Sequence, residues 1–385
     1  MELKSIKYAC KTAERDWAIF SANQEETLPV ELGKINLIVG INSSGKSRTL
    51  HAIYVLAMFL SGDMKISQTN SYGEMFDVVF WNEEQHQEIQ YYLKYENAHI
   101  IAEELKINGE VYVERNEKNS QMRYESFSDM VAFQADADML AVARRDRMQH
   151  AYLVPLAEWG TNMSYYLFGK DLGQNVGLKS IDVDKNENFD LRNSRKVAGI
   201  YKHGLDSFGN EYKQRIIEDL DKIGYAIKDI KLDVLRNSSV TAYGLSVKEK
   251  GLLSTTDQLE MSQGMFRALS LLIQINYALC SGKSSCILID DIGEGLDYHR
   301  STELIQILID KAKLSQVQLL MTTNDRFVMN KVPLMYWQVI VRDKGKVYFY
   351  NTKNSPEAFR DFSFTGLNNF DFLASEFYKS VEEGK

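Results

Sequence analysis

A short apolar segment that runs directly into a glycine-rich loop constrains the fold of this chain more than any other feature. The sequence INLIVGINSSGKS, residues 35–47, joins an apolar strand to the spacing GxxxxGKS. Gly40 and Gly45 let the backbone curl so that successive N–H groups point at an anion, and the helix expected from Lys46 adds its positive end. Apolar runs on both sides supply the strand and the helix that the spacing requires. The segment therefore predicts a phosphate-binding P-loop, the Walker A motif.

The loop residues divide into two predicted roles. Lys46 is expected to reach the β- and γ-phosphates of a nucleotide, and the hydroxyl of Ser47 is expected to bind Mg²⁺. The other predicted phosphate-binding positions are Gly40, Asn42, Ser43, Ser44 and Gly45.

Length and composition bound the class of protein. A chain of 385 residues can bury a large core and ordinarily holds two or three domains, or one domain with a large insertion. Its formal charge of −8 leaves nucleic-acid binding open but unsupported. No apolar stretch is long enough to span a bilayer, and the first ten residues lack the apolar core of a signal peptide. We therefore expect a cytoplasmic protein without membrane contact.

The periodicity of apolar residues changes along the chain and predicts an α/β protein with insertions. Residues 1–60 and 252–385 contain buried apolar strands separated by helices, which indicates a nucleotide-binding core with a mainly parallel sheet. Residues 72–115 alternate between apolar and polar, and the Asn-Gly pair at 108–109 is typical of a hairpin, so an antiparallel β-lobe is expected. Residues 116–251 are predicted to be a mostly helical insertion.

Acidic residues follow a buried strand in the second half of the chain. The segment CILID ends at Asp290, and Asp291 comes next. A carboxylate at the end of an apolar strand is the expected Mg²⁺ partner of a P-loop serine, the Walker B arrangement. The loop MSQGM, residues 261–265, opens a helix before this strand, and a Leu-Asp pair at 296–297 follows it.

In this order the motifs resemble those of ABC-type ATPases. That family has an LSGGQ-like signature loop, a strand that ends in Asp-Glu, and a downstream Leu-Asp in its D-loop. Ser262 and Gly264 match the signature, Gln263 departs from it, and Asp297 matches the D-loop. The resemblance implies that these four residues contact ATP held by the P-loop of a second copy. It therefore implies a homodimer around Mg·ATP, or a higher oligomer built from it.

Two positions depart from the family pattern. Asp291 stands where the general base is usually Glu, and Asn324 stands where the switch residue is usually His. The resemblance implies catalytic roles for both, together with Lys46. A displacement of about 1 Å at the attacking water can cost roughly a hundredfold in rate. Slow turnover is expected unless Glu294 compensates.

Other candidates are less specific. Gln68 is the candidate for the family's Q-loop glutamine, a Mg²⁺ ligand. Trp17 either stacks on adenine or, as we favour, belongs to the core. Arg144, Arg145 and Arg147 either contact DNA, a partner or phosphate, or, as we favour, form a solvated helix face or salt bridges to the surplus acidic residues.

The sequence separation of the motifs limits which branch of the ABC-type ATPases this chain resembles. The long interval between P-loop and signature argues against a transporter ATPase, and the absence of coiled-coil arms argues against an SMC-like chain. What remains resembles the soluble AAA-family, ABC-like ATPases related to RecF and OLD-nuclease heads, many of which serve DNA repair or phage defence. The resemblance implies an ATPase that controls a separate effector protein. The alternative is an ATP-dependent scaffold with very slow or no hydrolysis that assembles a partner complex.

Overall fold

The computed structural model describes residues 1–11, 16–23, 28–69, 72–126, 129–134, 136–144, 147–170, 172–179, 192–235 and 242–380. Within these residues the α-helices are α1 (Lys46–Leu60), α2 (Val154–Thr161), α3 (Val197–Lys222), α4 (Gln263–Ser281), α5 (Tyr298–Lys313), α6 (Arg326–Lys331), α7 (Pro356–Phe362) and α8 (Asn369–Ala374). The strands are β1 (Glu2–Lys11), β2 (Asp16–Ser21), β3 (Val30–Glu31), β4 (Ile35–Val39), β5 (Gly73–Asn82), β6 (Gln87–Glu96), β7 (His99–Ile107), β8 (Glu110–Asn116), β9 (Ser120–Tyr124), β10 (Asp129–Ala132), β11 (Ser164–Leu167), β12 (Leu178–Lys179), β13 (Ile227–Val234), β14 (Ala242–Glu249), β15 (Thr256–Asp257), β16 (Ser285–Asp290), β17 (Val317–Thr322), β18 (Trp337–Asp343) and β19 (Lys346–Tyr350). None of the described helices is long and apolar enough to cross a membrane.

The chain divides into two compact units. The first comprises Met1–Met163 and Pro333–Lys385, and the second comprises Ser164–Val332. The P-loop belongs to the first unit, whereas the predicted signature, Walker B and D-loop residues belong to the second.

The first unit contains a long sheet in the order β10-β9-β8-β7-β6-β5-β1-β2-β19-β18-β4, with β3 beside β1. Only the pairs β18–β4 and β19–β2 are parallel among the pairs described in this unit. The antiparallel pairs from β5 to β10 belong to the predicted β-lobe and its continuation. Among the N- and C-terminal strands of this unit, β1–β2, β1–β3 and β18–β19 are antiparallel, so the sheet there is mixed rather than mainly parallel.

The predicted β-lobe is an antiparallel run of strands from β5 to β10. Its hairpin at 108–109 is confirmed, with φ of 50° at Asn108 and 84° at Gly109. β5 also pairs with β1, so this run continues the N-terminal sheet. It extends past the predicted boundary at 115 as far as β10.

The second unit contains the parallel strands β17, β16 and β11, in that order. Every residue of β16 and β17 is buried, as expected for strands covered on both faces. A smaller antiparallel sheet has the order β12-β14-β13, with β15 beside β14. Because β16 and β17 are parallel, their carboxyl ends bring Asp290 and Thr322 to the same edge.

The prediction of a mostly helical stretch over 116–251 is wrong for the described residues. The helices α2 and α3 lie there, and α3 is broken at Gly209, but strands β9 to β14 lie there as well. Alternation in KDIKLDV and AYGLSVKE is the local signal for β13 and β14. The two segments pair antiparallel with each other, from Ile227 with Glu249 to Val234 with Tyr243.

Candidate functional site

The P-loop connects a fully buried strand to a helix in the first unit. β4 is buried along its length, and α1 begins at Lys46. A Cβ on Gly40 would lie 2.6 Å from the carbonyl oxygen of Ile340, so no larger residue fits without a backbone shift. Gly45 has a φ of 107°, a conformation that favours glycine. Glycine thus meets a steric requirement at position 40 and a conformational one at position 45.

The ammonium group of Lys46 is held by its own loop. Its Nζ donates to the carbonyl oxygens of Gly40 at 2.8 Å and Ile41 at 3.1 Å. The side chain is buried, and a buried ammonium is costly unless it is paired. The loop thus fixes one positive charge beside its own backbone. Three further predicted loop residues are exposed: Asn42, Ser43 and Ser47.

Ser44 contributes a buried hydroxyl to this loop. Its side chain is 1% exposed, and no described group forms a hydrogen bond with its Oγ. Buried polar atoms are nearly always paired, so an unpaired hydroxyl inside an anion-binding turn fits a phosphate oxygen as its partner. Together with the Lys46 ammonium, it makes the loop fit the phosphates of a nucleotide.

Two arginines beside the P-loop were missed by sequence reasoning. Arg342 on β18 donates from Nη1 to the carbonyl oxygen of Ser43 at 3.2 Å. The guanidinium carbon of Arg48 lies 5.0 Å from the centroid of the Trp17 ring, as in a cation–π contact. Trp17 is 2% exposed, so the core interpretation of this residue is confirmed. Only the tertiary approach of β18 identifies Arg342, because it is distant in sequence.

Gln68 lies at the end of a one-turn 3-10 helix, Ile66–Gln68, and is exposed. Its Oε1 accepts a hydrogen bond from the backbone N–H of Lys65 at 2.7 Å, which caps this turn. The structure thus shows a local capping role, and metal binding by Gln68 stays a prediction.

Asp290 and Asp291 have different environments in the second unit. Asp290 is buried, and its Oδ1 accepts a hydrogen bond from the hydroxyl of Thr322 at 2.6 Å. The same Thr322 oxygen accepts from the backbone N–H of Asp291 at 2.8 Å. Asp291 is half-buried and has a φ of 57°, a left-handed conformation that is uncommon for a non-glycine residue. One threonine therefore positions both carboxylate-bearing residues, although the sequence motif did not include it.

Asn324 contacts Asp291 directly. Its Nδ2 donates to Asp291 Oδ1 at 3.0 Å. The two residues line a pocket of 290 Å³ with the backbone turn that follows Asp291. The predicted general-base and switch positions are thus brought together within one unit. The full lining of this pocket is Asp291, Ile292, Gly293, Glu294, Gly295, Leu296, Asn324 and Asp325.

The signature-like loop opens α4 in the second unit. Ser262 is the N-cap residue, and its Oγ accepts from the backbone N–H of Met265 at 3.3 Å. Ser262 therefore caps α4, and both Ser262 and Gln263 are exposed. A Cβ on Gly264 would lie 2.9 Å from the carbonyl oxygen of Gly295, so this glycine permits close packing of the signature loop against the predicted D-loop.

Asp297 of the predicted D-loop caps the next helix. Its Oδ1 accepts from the backbone N–H of Arg300 at 3.0 Å, and its carboxylate also pairs with the Arg300 guanidinium. The backbone hydrogen bond from Arg300 is the main cause that lowers the pKa of this carboxyl. Arg300 in turn lies over the Tyr225 ring at 4.4 Å. Asp297 therefore has a structural role, and its contact with a nucleotide stays a prediction.

The arginines of the middle segment differ in their surroundings. The guanidinium carbon of Arg144 lies 5.1 Å from the Phe133 ring centroid, and its Nη2 donates to the carbonyl oxygen of Gln134. Arg147 is exposed, and Arg145 lies outside the described residues. The packing of Arg144 favours a structural role for that residue.

Comparison with solved structures identifies the type of fold. The sequence matches no protein-family model and no curated protein. The Smc head bound to the C-winged helix domain of ScpA is similar at a TM-score of 0.53 and 13% identity, over 91% of this chain and 97% of that one. An Smc head with an extended coiled coil, bound to the C-terminal domain of ScpA derived from Pyrococcus furiosus, has a TM-score of 0.51 and 14% identity, over 94% and 99%. The chain therefore has an SMC-like ABC head fold.

The similar structures are SMC heads, so the head fold agrees with the predicted ABC-type ATPase head. The argument against an SMC chain, which rests on the missing coiled-coil arms, stays a prediction. At these identities the likeness concerns the fold alone.

Proposed function

We propose that this chain is an ABC-type ATPase that dimerises around Mg·ATP and controls a partner effector protein in phage defence or DNA repair. The observation that carries the ATP-binding part is the composition of the P-loop. It combines the loop-held Lys46 ammonium with the buried Ser44 hydroxyl that has no described partner. Both groups suit the phosphate chain of a nucleotide.

The residues of the P-loop have different roles in the proposed phosphate binding. Lys46 supplies a full positive charge to the terminal phosphates, and Gly40, Ser43 and Gly45 present the backbone to them. Asn42 and Ser44 add polar side chains. Ser47 and Asp290 are the residues that would hold Mg²⁺, with Gln68 as a further candidate. The bound metal would neutralise charge on the phosphates.

The second unit supplies residues for hydrolysis and for dimerisation. Asp291 and Asn324, joined by a hydrogen bond, orient the attacking water and contact the terminal phosphate. Ser262, Gln263 and Gly264 of a second copy cap the γ-phosphate, with Asp297 at the same interface. A helix N-terminus with an exposed serine is suited to an anion.

Replacement of Lys46 tests the ATP-binding proposal. Lys46→Ala removes the charge-assisted contact and should weaken ATP binding by about ten- to hundredfold in calorimetric titration. Lys118→Ala is the matched control, because Lys118 is an exposed lysine in a turn of the first unit. A native circular dichroism spectrum with unchanged ATP affinity in Lys46→Ala would refute the P-loop assignment.

A scaffold without rapid hydrolysis is the second candidate. The observation that favours it is the short Asp291 side chain, one oxygen of which accepts a hydrogen bond from Asn324. Phosphate release from the parent protein distinguishes the two functions. A scaffold would assemble equally well with ATP and with a non-hydrolysable analogue, and it would release almost no phosphate.

The partner proposal has its own support. Two structurally similar Smc heads are bound to domains of ScpA, another protein. By analogy, this head would use ATP-dependent closure to bind or release its effector. Affinity purification from native cells, with and without ATP, tests this proposal. An effector should be recovered in one nucleotide state and lost in the other, whereas identical recovery would argue against ATP control.

A further inference from the structure

Glu294 has a fixed main chain close to Asp291. Its N–H donates to the carbonyl oxygen of Asp291 at 3.3 Å, which closes a turn. Its own carbonyl oxygen accepts from Nη1 of Arg267, on the signature helix α4, at 2.9 Å. The backbone N–H and C=O of Glu294 are therefore both hydrogen-bonded, which fixes the position of its Cα.

The side chains of Glu294 and Asp291 meet at Gly169. A Cβ on Gly169 would lie 2.5 Å from Glu294 Oε2 and 3.0 Å from Asp291 Cβ. The N–H of Gly169 donates to the carbonyl oxygen of Asp290 at 3.3 Å, which fixes this glycine beside the end of β16. The space left by the missing side chain at 169 is thus where the Glu294 carboxylate lies. No sequence motif links position 169 to position 294.

Asp291 is poorly suited to take a proton from water by itself. Its Oδ1 already accepts a hydrogen bond from Asn324, and its backbone N–H is bound to the Thr322 hydroxyl. It is also one methylene shorter than glutamate. Glu294 has the longer side chain, and no described group donates a hydrogen bond to its carboxylate. Both residues line the same pocket as Asn324.

We propose that Glu294 is the catalytic base of ATP hydrolysis and that Asp291 and Asn324 orient the water. This role rests on the ATPase function proposed above. The water oxygen bonds to the γ-phosphorus, and the bond from that phosphorus to the β–γ bridging oxygen breaks. ADP leaves with the bridging oxygen and its electron pair. The proton lost by the water passes to the Glu294 carboxylate and then to solvent, so the products are ADP and inorganic phosphate.

The direct test compares Glu294→Gln with a matched control in the full chain. Removal of a general base should lower kcat about a hundredfold or more, while KM and ATP affinity stay close to those of the parent. Glu218→Gln makes the same change at an exposed position of α3 in the same unit and should leave kcat unchanged. Equal turnover in the two variants would overturn the role of Glu294.

A double variant tests whether the length of the Glu294 side chain is the reason for its role. Asp291→Glu restores the longer side chain at the usual base position, so adding Glu294→Gln to it should cost far less than in the parent. An equally large decrease in kcat on adding Glu294→Gln to the parent and to Asp291→Glu would contradict the argument from side-chain length. Should Glu294→Gln fail to fold, Glu294→Asp keeps the charge and should still lower kcat, because it shortens the side chain.

Failure of this inference is distinguishable from failure of the proposed function. A parent protein that releases phosphate, together with an unaffected Glu294→Gln variant, refutes only the role of Glu294. A parent that binds ATP and releases no phosphate refutes the hydrolytic function and the catalytic base with it.

Discussion

At the scale of the residue, one hydroxyl connects Asp290, the predicted Mg²⁺ ligand, with Asp291, the residue at the predicted general-base position. Thr322 is completely buried, donates to Asp290 and accepts from the backbone N–H of Asp291. Its removal would leave a backbone donor and a buried carboxylate each short of one hydrogen bond. Buried groups left in this way cost about 1–3 kcal/mol each.

Thr322→Val is therefore expected to destabilise the protein by about 2–4 kcal/mol, because the shape is kept while both hydrogen bonds are lost. Urea unfolding would measure the change. Thr322→Ser is the matched control, since it keeps the hydroxyl and removes only a methyl group, at a cost of about 1 kcal/mol. Equal destabilisation by the two substitutions would show that the hydroxyl contributes little.

At the scale of the element, a buried carboxylate attaches an irregular segment to the antiparallel strands. Glu103 on β7 accepts from the backbone N–H groups of Ala141 at 2.8 Å and Val142 at 3.1 Å. Arg115 on β8 lies 3.7 Å from the same carboxylate and donates to the carbonyl oxygen of Met139. Burial raises the pKa of Glu103, and these donors oppose the shift. Loss of one partner would leave the others buried and unpaired.

Glu103→Ala should lower the free energy of unfolding by about 3–5 kcal/mol, the usual cost of breaking a buried ion pair from one side. Glu104→Ala is the control, because Glu104 is half-buried and forms a partly exposed pair with Lys106. The control should cost less than about 1 kcal/mol. Denaturant titration of both variants measures the change in the free energy of unfolding. A similar decrease in the two variants would indicate that the hydrogen bonds and ion pair of Glu103 contribute little to stability.

At the scale of the whole molecule, dimerisation around ATP is the proposed consequence of the signature loop. Ser262→Arg places a bulky charge at the exposed start of α4. The variant should bind ATP with normal affinity in its own P-loop but fail to dimerise when Mg·ATP is added, because the partner's γ-phosphate can no longer be capped. Light scattering and ATP titration measure the two properties separately.

Ser254→Arg is the control for this substitution, since it adds the same charge to an exposed loop of the same unit. Mixing Ser262→Arg with Lys46→Ala adds a second check. One of the two ATP sites in such a mixed dimer has both contributing parts intact, so partial turnover should return. Normal assembly by Ser262→Arg would indicate that the loop acts only as a helix cap.

Local sequence determined the parts of this protein that depend on neighbouring residues. The strand–loop–helix at the P-loop, the hairpin at 108–109 and the Ser262 cap each follow from the conformational preferences of a few consecutive residues. These preferences act within one turn or one hairpin. These features can therefore be predicted from the sequence without any knowledge of distant contacts.

Only the tertiary structure decided which distant residues meet. The parallel alignment of β16 and β17 brings Asn324 and Thr322 to Asp291, and the end of β11 brings Gly169 to Glu294. The strands β13 and β14 likewise pair with each other in the antiparallel sheet. Contacts of this kind depend on the order of the strands in the sheet. Strand order cannot be predicted from any short stretch of sequence.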